Sequence, residues 1–116
     1  MGKLTTHVLD TMHGTPGAEI KVELHQVDGS SLVYIKDVTT NFDGRTDSPM
    51  LEGNEFVAGK YQLTFYVADY YRAKGVDIGD IAFLDDVVIR FGISEDSHYH
   101  VPLLVSPYSF STYRGS

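Results

Sequence analysis

The chain has 116 residues, 42% of them hydrophobic, with 9 basic and 16 acidic side chains for a formal charge of −7; one core and a single domain over 1–116 are expected, and nucleic acid is excluded as a partner because no basic run could neutralise phosphates. There is no cysteine, which removes disulfide frameworks, thiolate nucleophiles and cysteine-ligated metals together. No apolar run approaches the roughly 20 residues of a membrane span, and "MGKLTTHVLD" lacks the apolar core of a signal peptide, so a soluble, cytoplasmic protein without a membrane partner is expected.

Period-two alternation dominates the chain in short bursts separated by Gly, Pro, Asp and Asn. Residues 4–10 read as a strand, and the myristoylation-like "MGKLTT" lies against it and is taken as coincidence. After the turn "TMHGTPG", Ile20, Val22 and Leu24 alternate with Lys21, Glu23 and His25 as a half-buried strand. "VDGSS" and "NFDGR" carry Asp-Gly turn chemistry, and strands are expected over 32–38 and 44–47. Tyr61, Leu63, Phe65 and Val67 alternate in the same way, "ADYYRAKG" over 68–75 reads as a two-turn helix ended by Gly75, and Val87, Ile89 and Phe91 share a phase. Residues 98–105 and 108–114 complete about eight strands. Their spacing fits an all-β antiparallel sandwich better than strand-helix-strand units.

The candidate chemistry lies in histidine and arginine. His13 in its turn and His25 on a polar phase read as solvated surface. His98 and His100, two apart on a strand, face the same way. Three readings of that pair compete: exposed structural histidines, a metal site needing a third ligand such as His7, and proton transfer at neutral pH. His7 shares a strand phase with Thr5 and Leu9. Arg45, after the Asp43-Gly44 turn, reads either as a solvated charge or as a donor fork for an anionic oxygen, and Arg114 has the same choice. No nucleophile elbow, zincin motif or phosphate loop occurs, so an enzyme of this sequence would use water as its nucleophile, in hydrolysis or hydration.

"THVLD", the Gly44-Arg45 pair after its turn, "HYHVPLL" and "SPYSFSTYRGS" together resemble the transthyretin-like family over essentially the whole chain, on its hydroxyisourate hydrolase branch. The terminal Tyr113-Arg114-Gly115-Ser116 is the most specific element, because it marks the hydrolases off from the hormone carriers. The carrier branch also lacks histidine at the positions of His7 and His100 and arginine at that of Arg45. The resemblance implies a sandwich of two four-stranded sheets with one short helix, and a homotetramer, a dimer of dimers whose sites lie at the dimer-dimer interface. It implies a small-molecule substrate, 5-hydroxyisourate, and neither metal nor cofactor. His7, Arg45 and His100 are then expected to be catalytic, and Tyr113, Arg114 and Ser116 to bind the substrate, with no tail beyond Ser116 to obstruct the cleft. Related hydrolases also work in the periplasm and peroxisome. The rival reading is a carrier that binds a small ligand without turning it over.

Overall fold

The computed structural model describes residues 2–115. Among them nine strands and one α-helix follow one another, with a single 3-10 turn at Gly53–Glu55: β1 (Lys3–Asp10), β2 (Thr15–Pro16), β3 (Lys21–Asp28), β4 (Ser31–Thr39), β5 (Leu51–Glu52), β6 (Gly59–Phe65), α1 (Val67–Ala73), β7 (Val87–Ile93), β8 (His98–Val105) and β9 (Phe110–Thr112). One sheet runs β2-β1-β8-β9 with β5 paired to the far end of β1, and the other runs β4-β3-β6-β7. The sandwich is therefore built of five and four strands, the fifth being the two-residue β5, where four and four are expected from sequence. All pairs are antiparallel except β1 with β8, which run parallel in continuous register from Lys3 opposite His98 to Asp10 opposite Val105.

Alternation decides what each strand contributes. On β1, Leu4, Thr6, Val8 and Asp10 are buried, while Lys3, Thr5, His7 and Leu9 turn outward. Leu103 and Val105 of β8 join Leu4 and Val8 against Val22, Leu24, Leu63 and Phe65 of the second sheet. Each such side chain withdrawn from water contributes about 1.5–3 kcal/mol. The core thus fixes β1 and β8 from one side and leaves a common outer face for chemistry.

Two turns of helix are marginal alone, and α1 is held by what it buries. Tyr70 and Tyr71 lie in the core, and their hydroxyls donate to the Asp10 carboxylate at 2.8 and 3.0 Å. Asp10 is only 1% exposed, and it also accepts from His13 Nδ1 at 2.6 Å and from the backbone amides of Met12 and His13. Burial alone would push this carboxyl up; the His13, Tyr70 and Tyr71 donors outweigh it and hold the group below its ordinary value. His13, expected as solvated surface, is exposed but bound to that buried carboxylate. His25, also expected in solvent, is half-buried edge-on to Tyr34 at 5.8 Å.

The expected strand over 44–47 is a turn. Asn41 Oδ1 accepts from the amides of Asp43 and Arg45, curling the chain back on itself. Gly44 adopts φ 78° there, and Arg45 makes one isolated antiparallel bridge to His7. The last strand is also shorter than the expected 108–114, because Ser106 and Ser109 close a hydrogen-bonded turn before it.

Candidate active site

The outward residues of β1 and β8 meet in pairs set by the parallel register: Thr5 beside His100, Lys3 beside His98, His7 beside Pro102. The 41–45 turn is fastened to this face by two bonds. The Val8 amide donates to the Gly44 carbonyl at 2.8 Å, and His7 Nε2 lies 3.0 Å from the Asp43 carbonyl. A carbonyl only accepts, so His7 Nε2 carries a hydrogen and the lone pair of its neutral ring resides on Nδ1. Arg45 follows directly, and a cleft of about 320 Å³ opens between its segment and the strands, lined by Thr5, Arg45, Asp47, His98 and His100 among others. His7 is one alternation further along β1, bridged by backbone to Arg45.

The Thr5 hydroxyl lies 2.8 Å from both His98 Nε2 and His100 Nδ1. Both rings thus turn a nitrogen to the same oxygen instead of to a shared cation. Among the described residues no three His, Asp or Glu side chains converge as a metal site. His100 Nε2 makes no hydrogen bond to any described residue, and neither does the Arg45 guanidinium. Burial, then the positive Arg45, lower the pKa of His7 against the opposing pull of Asp43. Burial, then Arg45, His7 and His98 lower that of His100. Two imidazoles whose basicity is lowered lie beside a cation that pairs with no described residue, which is an arrangement able to take a proton from water while favouring an oxyanion.

The outer face also explains Gly115. Its backbone pairs with that of His100, and a Cβ built on Gly115 would sit 3.0 Å from the His100 ring. The glycine lets the imidazole lie flat against the chain.

The HIUase/Transthyretin family model matches residues 4–115. A 5-hydroxyisourate hydrolase of Pseudomonas aeruginosa is 62% identical, with 100% of this chain and 93% of that protein covered. Among solved structures, an (S)-allantoin synthase is 46% identical with a TM-score of 0.93, the alignment covering 99% of this chain and 44% of that one. A Klebsiella pneumoniae 5-hydroxyisourate hydrolase is 33% identical with a TM-score of 0.83, and both chains are covered completely. The chain belongs to the HIUase/Transthyretin family.

In this HIUase/Transthyretin fold, the residues expected to act together fall into two places. His7, Arg45 and His100 share the outer face of the first sheet. Tyr113 and Arg114 line a second cleft of about 230 Å³ with Tyr99, Arg90 and Phe91. The Arg114 guanidinium stacks on the Tyr99 ring at 3.9 Å, donates to Ser97 Oγ at 3.0 Å and lies 3.7 Å from Glu95. Within one chain Tyr113 and Arg114 line a different cleft from Arg45 and His100, although Arg114 Nη2 reaches the His98 carbonyl at 3.5 Å. Ser116 lies outside the described residues. Thr5 escaped the sequence reading as a site residue; its signal was the strand phase it shares with His7, which carries weight only once β8 is known to lie alongside.

Proposed function

We infer that the protein hydrolyses 5-hydroxyisourate, opening the six-membered ring in urate breakdown to give 2-oxo-4-hydroxy-4-carboxy-5-ureidoimidazoline. The named hydrolase relatives support the reaction. The observation that carries the mechanism is the placing of His7 and His100 on one face with Arg45, which pairs with no described residue.

The substrate is a planar, oxygen-rich bicycle, and its C6 carbonyl is attacked by water. His100 Nε2 takes the proton from that water as its oxygen bonds to C6. Arg45 steadies the negative charge that develops on the carbonyl oxygen. The bond from C6 to the ring nitrogen then breaks, the protonated imidazole returns its proton to that nitrogen, and C6 becomes the carboxylate of the opened product. His7, whose Nε2 is engaged by the Asp43 carbonyl, positions the water through Nδ1. His100 is favoured as the base because its Nε2 makes no hydrogen bond to a described residue.

We further propose that the working unit is a homotetramer whose sites form at the dimer-dimer interface. That Tyr113 and Arg114 line a different cleft from Arg45 and His100 within one chain favours this. A neighbouring copy would bring its terminal residues, Ser116 included, over the cleft to hold the heterocycle. The cytoplasm remains the compartment proposed, to be checked by fractionation.

The test is the ultraviolet decay of hydroxyisourate generated in place from urate, followed with and without catalytic protein, and paired with the mass of the species in solution. Strong acceleration over the spontaneous decay is expected from a tetramer. A confirmed tetramer that binds the compound without accelerating its decay would instead be a carrier.

A further inference from the structure

A hydroxyl has one proton to give and can accept twice. Thr5 Oγ1 faces two ring nitrogens at 2.8 Å, His98 Nε2 and His100 Nδ1. It can donate to only one of them, so at least one ring must donate to it. For His100 the two outcomes differ in kind. If its Nδ1 carries the hydrogen and donates to Thr5, the lone pair of the neutral ring lies on Nε2, in the cleft. If Thr5 donates to Nδ1, the hydrogen of the neutral ring sits on Nε2 and that atom cannot take a proton from water.

We propose that Thr5 and His98 are positioning residues that set the tautomer of His100. In the active arrangement His100 Nδ1–H donates to Thr5 Oγ1, Thr5 Oγ1–H donates to a bare His98 Nε2, and His100 Nε2 is left as the base. This rests on the reading of His100 as the base of the hydrolase.

His98 is exposed at the end of β8 and meets solvent directly. When its Nε2 gains a proton it can only donate to Thr5. The Thr5 proton is then released toward His100 Nδ1, which favours the tautomer without a lone pair in the cleft. A ring that takes no part in the proton transfer itself thereby governs whether the base is available. The charged and titratable groups around this chain of bonds are Lys3 opposite His98 on β1, His7 further along the same strand, Arg45 and Asp47 across the cleft, and Arg114, whose Nη2 lies 3.5 Å from the His98 carbonyl.

The test reads the tautomer directly. Long-range ¹H–¹⁵N spectra of the full-length protein should show His100 with a protonated Nδ1 and a bare Nε2 in the wild type. In Thr5→Val the Nε2–H form should grow, with kcat falling about 10- to 100-fold at little change in KM, by analogy with the loss of partners that fix the tautomer of metal-bound histidines. Thr5→Ser should restore both the spectrum and the rate. His98→Gln, which cannot be protonated, should remove any dependence of the His100 tautomer on pH. A wild-type His100 bare at Nδ1, or a folded Thr5→Val that keeps the wild-type spectrum, overturns the proposal. Because the spectra need no turnover, a protein that fails to hydrolyse hydroxyisourate would refute the activity while leaving the tautomer result to stand or fall alone.

Discussion

His7 and Asp43, 36 positions apart in sequence, are joined by a 3.0 Å hydrogen bond from the imidazole Nε2 to the backbone carbonyl. The bond does two things at once: it fixes the hydrogen of His7 on Nε2, and it ties to β1 the turn that carries Arg45. The two side chains are mechanically coupled.

His100→Ala should lower kcat by about 10²–10⁴, the usual contribution of a general base, and leave the circular dichroism spectrum unchanged. His7→Ala should cost about 10²-fold and raise KM as well, because the Arg45 turn loses an anchor. Steady-state kinetics separate the two. A His100→Ala enzyme within a few-fold of wild type would move the base to His7 Nδ1.

Both rings have folded pKa values below the free value of 6.5. The unfolded chain therefore binds these protons first as pH falls. The stability gained by keeping the rings neutral is intact above 6.5 and is lost as pH drops below it toward the folded values. The same shift keeps the base competent in mild acid. A profile of kcat/KM against pH should place its acidic limb below 6.5, and a limb centred above that value would contradict the electrostatics.

Gly44→Ala should damage structure and activity together. The residue sits at φ 78°, and a Cβ would fall 2.4 Å from the Val8 carbonyl oxygen, a backbone atom that cannot step aside. We expect a loss of about 1–3 kcal/mol in urea denaturation. Any folded fraction should show a reduced kcat from a displaced Arg45. Unchanged kinetics would mean that the turn does not position the guanidinium.

Asp10→Ala should be the most destabilising of these substitutions. It orphans the Tyr70 hydroxyl, leaves Tyr71 only the Val105 carbonyl and takes the carboxylate from His13, and loss of a buried charge network of this kind costs about 3–5 kcal/mol. For a domain of this size the thermal midpoint should fall by more than about 10 °C. Tyr71→Phe should cost less, about 1–2 kcal/mol, since its partners keep other donors. Calorimetry decides both.

Much of this was legible in the sequence. The alternation of Ile20, Val22 and Leu24, or of Tyr61, Leu63 and Phe65, reports a half-buried strand because the pleat has period two. The motif around His98 and His100 placed them on one face, and the resemblance pointed to His7 and Arg45. What alternation cannot report is which strand lies beside which. The pairing of Thr5 with His100 depends on a parallel register between segments 95 residues apart, so the hydroxyl between the rings could not be seen. The 44–47 segment was misread because Thr46 and Arg45 look compatible with a strand while Asn41, four residues earlier, bends the backbone through its side chain. His13 was misread for a similar reason: nothing in a turn composition announces a buried carboxylate three residues back.

The parallel alignment of β1 with β8 also bears on how the protein is made. Thr5 emerges from the ribosome early and His100 late, so at typical rates of synthesis several seconds separate the two halves of one hydrogen-bonded chain. Until β8 arrives, β1 is an unsatisfied edge, and closing so long a loop is slow compared with forming a hairpin. The base, its tautomer and the cleft would then appear in a single late event, the docking of β8. With His100 as the base, activity would report completed folding: a chain that has not yet docked that strand would have no partial activity to lose.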